Sequence, residues 1–202
     1  MSDYAALPVL AAATLSLAIG VPLVRSWVQH RTFALMRPRT ELQRFLHMAF
    51  AGCMVGYGLW ATALVTLGPA ALGVLAVPLW ASALGYTLSA VSLGLVVVAQ
   101  AQMGRSWRIG LDPQPNELVT AGVFRIARHP IYLGMLGIVL GIAVVAPSAW
   151  TVMGVLLVYV VVGFQARAEE EHMVRQHGEA YLAWAGRVGR FVPGIGILRS
   201  ES

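Results

Sequence analysis

The sequence is poor in charge and in cysteine, and each shortage excludes a class of structure. Charged residues make up 11% of the 202 residues, whereas hydrophobic residues make up 58%. The mean hydropathy is +0.72. The single cysteine, Cys53, excludes an internal disulfide and offers no cysteine framework for a metal. The sequence also shows no glycine-rich phosphate loop and no serine nucleophile elbow. This composition predicts an integral membrane protein.

Apolar stretches predict an all-α, polytopic protein with five transmembrane helices, since a spanning helix needs about 20 apolar residues. The stretches are residues 5–24, 45–67, 70–101, 131–146 and 149–166. In the third, we expect the spanning part to begin at Pro78. The fourth covers only roughly 24 Å at about 1.5 Å per residue, and a turn at Pro147 and Ser148 joins it to the fifth. These two stretches predict a helical hairpin or, alternatively, a re-entrant pair.

The basic residues predict the orientation of the chain. All 14 are arginine, and they lie in residues 25–44, 101–130 and 167–202. With five spans these three segments fall on one side, which the positive-inside rule makes cytoplasmic. We therefore expect the N-terminus outside, the C-terminus in the cytoplasm, and a location in the cell inner membrane or another cytoplasm-facing membrane. The net charge of +5 then reflects topology and contact with membrane lipids, not nucleic-acid binding.

Two pairs of glycines have the small-xxx-small spacing that lets membrane helices approach closely. Gly52 and Gly56 lie in the second span, and Gly137 and Gly141 lie in the fourth. We expect both pairs to pack helices inside the protein. Association of two copies is the alternative, and the sequence does not decide the oligomeric state.

Residues 122–134, GVFRIARHPIYLG, form the most distinctive motif. A proline disfavours helical geometry in the preceding residue and itself suits the first helical position. We therefore predict a helix that begins at Pro130, with His129 just outside it. The free backbone N–H groups and the positive dipole end of that helix would suit an anion.

A second polar cluster, Glu169 to Glu171, follows the fifth span and should emerge on the same face as His129. One interpretation is a solvated helix end whose acidic residues pair with Arg167 and Arg175. The other is a functional site, because ionisable groups at membrane depth often have a function. Glu169 and His172 have Glu-x-x-His spacing, but a di-iron site needs two such motifs and further carboxylates. We expect no metal.

The motif LVTAGVFRIARHPIYLG (residues 118–134), the pattern EE-x2-M-x3-HGEAY (residues 169–181) and RVGRFVP (residues 187–193) together resemble the isoprenylcysteine carboxyl methyltransferase family. They are also similar to the wider group of small integral-membrane methyltransferases that includes the phospholipid methyltransferases. The resemblance covers roughly residues 100–195. It implies a catalytic methyltransferase region at residues 100–202, preceded by three transmembrane helices in residues 1–99.

The family resemblance also implies the cofactor and the site. S-adenosylmethionine would donate the methyl group and leave as S-adenosylhomocysteine. Glu169 and Arg167 would be catalytic, and Gln165 and Arg167 would contact the substrate. The expected cofactor-binding residues are Asn116, Glu117, Leu118, Val119, Phe124, His129, Pro130, Ile131, Tyr132 and Glu169. The expected acceptor is hydrophobic, with a prenylcysteine-type carboxylate, and would enter sideways from the bilayer.

One departure from the family pattern leaves the acceptor open. Prenylcysteine enzymes have an arginine four residues before the first glutamate, where this chain has Gln165; Arg167 is a possible substitute. Methylation of a lipid amine or a small thiol is therefore an alternative. A membrane reductase and a non-enzymatic membrane protein such as a small transporter are the others. The near absence of ionisable residues in the spans, apart from His47, is evidence against transport.

Overall fold

The structure is a computed structural model that describes residues 4–31, 38, 40–107 and 117–198, with only the backbone for residues 29, 30 and 105. These residues form seven α-helices and no named strand. The helices are α1 (Ala6–Leu15), α2 (Val21–His30), α3 (Glu41–Leu67), α4 (Leu79–Met103), α5 (Pro130–Val145), α6 (Ala149–His177) and α7 (Glu179–Ala185). A π-helical turn, Ser16–Gly20, joins α1 to α2. The all-α prediction is confirmed for this part of the chain.

Four helical segments are long and apolar enough to cross a membrane: Ala6–Val28, Glu41–Leu67, Leu79–Met103 and Ala149–His177. They correspond to the first, second, third and fifth predicted spans. The fourth predicted span is α5, a shorter apolar helix of 16 residues. The molecule is therefore a multi-pass membrane protein in which one hydrophobic helix is shorter than the others.

The hairpin of α5 and α6 has the turn that the sequence predicted. Ser148 caps α6 by accepting a hydrogen bond from the Thr151 backbone N–H, and the Thr151 hydroxyl accepts one from the Ser148 backbone N–H. This reciprocal capping satisfies two backbone donors that the first turn of a helix otherwise leaves free. The carbonyl oxygen of Pro147 accepts a hydrogen bond of 2.9 Å from Leu75 N–H. The loop before α4 is thereby tied to the hairpin.

Helices α4 and α5 pack so closely that glycine is required at the contact. A Cβ added to Gly141 would lie 2.4 Å from the carbonyl oxygen of Gly85 and 2.2 Å from Ser89 Oγ. A Cβ at Gly137 would lie 2.1 Å from Ser92 Oγ. Ser89 Oγ also donates a hydrogen bond of 3.1 Å to the carbonyl of Ile138 on α5. Close internal packing is therefore confirmed for the pair in α5.

The glycine pair of α3 has different surroundings. No atom lies within 4 Å of a Cβ added at Gly52 or Gly56. Both residues instead border a large apolar cavity between α3 and α6. The expectation of tight internal packing was wrong for this pair, because the facing helix does not approach α3 at those positions.

Candidate active site

The distinctive motif forms the predicted helix start. His129 is the N-cap of α5, with φ −122° and ψ 64°, and Pro130 is its first residue. The backbone N–H groups of Arg128 and His129 donate to the carbonyl oxygens of Gly189 and Arg190, at 2.9 Å and 3.0 Å. The chain that follows α7 therefore runs alongside the motif and holds His129 at the entrance to α5.

Arg128 is buried beneath this segment and acts as a structural cation. Its Nε and Nη2 donate to Glu170 Oε1, at 3.1 Å and 2.6 Å. Its Nη1 donates to the carbonyls of Ala185 and Val188, and its Nη2 also donates to the carbonyl of Gly196 at 2.7 Å. Because a guanidinium presents its donors in a fixed fork, these contacts fix the geometry of the C-terminal segment.

Glu170 joins two arginines. Besides Arg128, it pairs with Arg190, whose Nη2 lies 2.6 Å from Glu170 Oε2. The Glu170 side chain is only 5% exposed. A buried carboxylate is tolerated when it is paired and hydrogen-bonded, and both conditions hold here. The hydrogen bonds that Arg190 donates to Glu170 also raise the pKa of the Arg190 guanidinium.

Glu169 points into different surroundings from those of its neighbour. Its Oε1 accepts hydrogen bonds from the Tyr132 hydroxyl and, at 2.9 Å, from Gln165 Nε2. Its Oε2 lies 3.4 Å from His129 Nδ1, and the side chain is 28% exposed. Among the described residues, no arginine forms an ion pair with Glu169. The partners of the Glu169 carboxylate among these residues are therefore Tyr132, Gln165 and His129.

His129 lies between the two glutamates. Its Nε2 is 3.4 Å from Glu170 Oε1, which is an ion-pair distance; no formed hydrogen bond is present at that nitrogen. Burial lowers the pKa of His129, but the hydrogen-bonding and charge effects of Glu169 and Glu170 outweigh burial, and the pKa is raised above its usual value. The imidazole ring stacks on Tyr132, with ring centroids 5.5 Å apart, and meets Phe191 at 6.2 Å.

Several other residues of the predicted site surround this group. Pro130 is fully buried and Phe124 is buried in the short 3-10 helix Gly122–Arg125. Ile131 is half-buried in the first turn of α5. Gly122 turns with a φ of +62°, and the amide of Gln102 accepts a hydrogen bond from Val123 N–H at 2.9 Å. The contact with Gln102 fixes this turn against the end of α4.

The remaining predicted residues have varied placements. Leu118 and Val119 are half-buried and Glu117 is exposed, with its carbonyl near Ser106 Oγ at 3.3 Å. Arg167 is exposed. Because it is two positions from Gln165 on a helix of 3.6 residues per turn, it lies on a different face of α6 from Gln165. Asn116 lies outside the described residues. The assignment of these residues to cofactor, catalysis and substrate stays a prediction.

Four residues that the sequence reasoning left out of the site contribute to its geometry: Arg128, Glu170, Arg190 and Phe191. Both arginines and the phenylalanine belong to motifs that had been recognised. Pairing of Glu170 with two arginines, one 42 and one 20 residues away in sequence, carries no periodic signal in the sequence. Only the tertiary fold brings these charges together.

An apolar cavity of about 660 Å³ borders α6, the helix that carries Gln165 and Glu169. On α6 its walls include Val158, Val161 and Val162, and on α5 they include Met135. One helical turn beyond these positions are Gln165 on α6 and Tyr132 on α5, because i and i+3 or i+4 share a helix face. The cavity thus leads along α5 and α6 toward Glu169. Its volume is within the range of about 300–1,000 Å³ typical of ligand sites.

A family model for phospholipid methyltransferases matches residues 80–180 of this chain, which is half of its length. The chain belongs to this methyltransferase family. The matched region begins with α4 and ends within α7, so it contains His129, Tyr132, Gln165 and Glu169. Family membership supports methyl transfer and leaves the acceptor undefined.

Two individual proteins are also similar to this chain. A nickel-cobalt-cadmium resistance protein, NccN, of Alcaligenes xylosoxydans xylosoxydans is 27% identical over 114 residues, which cover 55% of this chain and 53% of that protein. The solved structure of the eukaryotic intramembrane Ras methyltransferase ICMT, an isoprenylcysteine carboxyl methyltransferase, aligns with a TM-score of 0.52 and 15% identity. The alignment covers 91% of this chain and 61% of ICMT. The chain therefore spans only part of each protein, and the likeness to ICMT concerns the fold.

Proposed function

We propose that this protein transfers a methyl group from S-adenosylmethionine to a hydrophobic acceptor that occupies the cavity beside α6. The observation that carries the proposal is the meeting of two features on one helix. The apolar face of α6 lines the cavity as far as Val162, and about two turns further the same helix presents the Glu169 carboxylate, which no described arginine pairs with. A lipid-like acceptor and a cationic donor would meet at this point.

The described residues suit such a donor. S-adenosylmethionine supplies a methyl group that its sulfonium already activates, so no metal or covalent intermediate is needed. Glu169 offers a carboxylate without an arginine partner among the described residues, and a carboxylate attracts a sulfonium or an ammonium group. His129 and the N-terminus of α5 offer positive charge to the donor's own carboxylate. Tyr132 and Phe191 add aromatic surface beside His129.

The chain's own residues would act by positioning and by fixed charge. Gln165 and Tyr132 hold the Glu169 carboxylate in one orientation. Holding two reactants in line can remove much of a barrier, and preorganised charges stabilise the transition state without rearranging. Arg128 and Arg190 would not take part directly, because Glu170 already occupies their guanidinium groups. They would keep His129 and the C-terminal segment in place.

The head group of the acceptor is a lipid amine or a thiol in this proposal, in preference to a carboxylate. Gln165 occupies the position of the family arginine and donates a hydrogen bond from its amide N–H to Glu169. A carboxylate acceptor would then approach Glu169 without an arginine at the position of Gln165, and like charges repel. An amine becomes more positive as it gains a methyl group, which Glu169 would favour. Arg167 remains the predicted substitute cation for a carboxylate acceptor.

We further propose that the N-terminus is outside the membrane and the C-terminus is in the cytoplasm. The three arginine-bearing segments then lie together on the cytoplasmic side. S-adenosylmethionine would enter there, at the end of the bundle that holds His129 and Glu169.

A labelling experiment tests the proposed activity. Protein in lipid nanodiscs is incubated with S-adenosylmethionine labelled on the methyl group, with either phosphatidylethanolamine or S-farnesyl-N-acetylcysteine as the acceptor. We expect label that alkali does not release as volatile methanol, since N-methyl and S-methyl groups are stable to base whereas carboxyl methyl esters are hydrolysed to methanol. Label that alkali releases as methanol would show a carboxylate acceptor. Absence of label from both acceptors, with folded protein, would contradict the activity on these acceptors.

Two substitutions sharpen the choice of head group. Gln165→Arg restores the family arginine and should increase transfer to S-farnesyl-N-acetylcysteine relative to phosphatidylethanolamine. Arg167→Gln should leave that ratio unchanged if Arg167 makes no substrate contact. A fall in carboxylate methylation in Arg167→Gln would instead support its predicted role in substrate binding.

A further inference from the structure

Two parts of the chain line the large cavity, one inside the segment that the family model matches and one before it. On α5 and α6 the lining residues belong to the segment that the family model matches. The opposite wall is formed by α1, α3 and the π-helical turn, which precede that segment. The family-matched half therefore holds the reacting end of the site, while the N-terminal helices shape the space for the rest of the acceptor.

The cavity is also long. Its lining on α6 extends from Trp150 to Val162, a distance of about 18 Å at about 1.5 Å per residue. Polar side chains are few along it, and Leu59 and Met153 on its rim are largely exposed, so the cavity opens sideways toward the lipid. An extended apolar chain fits this shape, and the position of Gln165 one turn beyond Val161 and Val162 on α6 gives the chain a direction.

We propose that Gly56 and Trp60 on α3 determine how long an apolar chain the acceptor can have. This inference rests on the proposed function. Gly56 lines the cavity and has open space where a Cβ would be. Trp60 lies one turn further along α3, farther from Glu169, and its ring stacks on Tyr57 with centroids 6.4 Å apart. Gly56 thus leaves room in the middle of the cavity, and the Trp60 ring occupies space toward the end farther from Glu169, where Ala63 and Leu72 also line the wall.

The way Trp60 is held allows a clean substitution. Its indole nitrogen is buried and has no hydrogen-bond partner among the described residues. The ring is therefore held by packing, and Trp60→Phe should keep the packing while removing only part of the volume. Trp60→Ala removes the whole ring and should lengthen the cavity.

Competition binding measured by native mass spectrometry tests the proposal. The protein in nanodiscs is offered an equimolar mixture of S-alkyl-N-acetylcysteines and alkylamines, with chains from hexyl to octadecyl. Gly56→Phe should lower the ratio of bound long chains to bound short chains about tenfold. This is the effect of excluding about two methylenes, since each buried methylene contributes roughly 0.8 kcal/mol and 1.4 kcal/mol is tenfold. Trp60→Ala should raise that ratio, and Trp60→Phe should fall between Trp60→Ala and the unmodified protein.

Gly58→Phe is the matched control. Gly58 lies on the same helix, also has nothing within 4 Å of an added Cβ, and is not part of the cavity wall. Its chain-length ratio should equal that of the unmodified protein. Unchanged ratios in both Gly56→Phe and Trp60→Ala, or an equal shift in Gly58→Phe, would overturn the proposal.

Binding of S-adenosylhomocysteine to the same preparations separates this proposal from the proposed function. If the unmodified protein binds S-adenosylhomocysteine and the ratios do not change, the role of Gly56 and Trp60 fails and the methyltransferase stands. If the ratios shift as expected and S-adenosylhomocysteine does not bind, the cavity selects ligands by chain length but the proposed function fails.

Discussion

The contact between α4 and α5 and the space between α3 and α6 are built from the same small residue with opposite results. Gly137 and Gly141 bring two backbones together so closely that a single added carbon would collide with the other helix. Gly52 and Gly56 meet nothing and border a cavity. The closed contact holds α5 against α4, whereas the open space leaves room for a ligand. Small-xxx-small spacing alone therefore does not distinguish close packing from a cavity wall.

The largest effect on stability should come from removing the buried charge of Glu170, which pairs with Arg128 and Arg190. Glu170→Gln leaves Arg128 buried without its counter-ion, and breaking a buried pair in this way costs about 3–5 kcal/mol. Thermal unfolding in detergent, followed by circular dichroism, measures the loss. Glu171→Gln is the control, because its carboxylate is 74% exposed and lies 3.9 Å from Arg175, and such surface pairs contribute about 0–1 kcal/mol. Equal losses in both variants would contradict the structural role of Glu170.

The next effect compares the two glycine pairs directly. Gly141→Ala places a carbon 2.4 Å from the Gly85 carbonyl, and overpacking of this kind costs about 1–3 kcal/mol. Gly56→Ala has open space and should leave the midpoint of thermal unfolding unchanged or slightly raised, because alanine favours the helix over glycine. If Gly56→Ala destabilises the protein as much as Gly141→Ala, α3 packs against another helix and the cavity is not open.

The smallest of these effects is pH-dependent. The pKa of His129 is raised in the folded protein, so its imidazolium stabilises the fold fully below the unfolded pKa of about 6.5. That contribution is lost as the pH rises through the raised pKa. The difference in unfolding temperature between the unmodified protein and His129→Gln should therefore be largest near about pH 6 and shrink at higher pH. His47→Gln, on α3, is the control. A difference that grows with pH would show that His129 is not stabilised as a cation.

Local signals in the sequence predicted much of the fold and part of the site. Pro130 after His129 predicted the start of α5, and Pro147 with Ser148 predicted the turn of the hairpin; the structure confirms both. These features depend on backbone preferences of one or two residues. The grouping of Tyr132 with Glu169 followed from the family resemblance, and the structure brings their side chains together.

Features that depend on distant parts of the chain could not be predicted in the same way. The network of Glu170 with Arg128 and Arg190 joins three separate motifs, and residue spacing does not reveal which arginine meets which glutamate. The cavity depends on where α3 fails to touch α6, and periodicity reports which residues are apolar without reporting the distance between helices. The roles of Asn116, which lies outside the described residues, and of Arg167 stay predictions.

Calorimetric binding of S-adenosylhomocysteine to the detergent-purified protein tests the central claim most directly. We expect saturable binding by the unmodified protein and by Glu171→Gln, and loss of binding by Glu169→Gln with its circular dichroism spectrum unchanged. That result would establish Glu169 as part of the donor site. Equal affinity in Glu169→Gln, or no binding by the folded unmodified protein, would contradict the claim that a methyl donor binds where α5 begins and the apolar cavity ends.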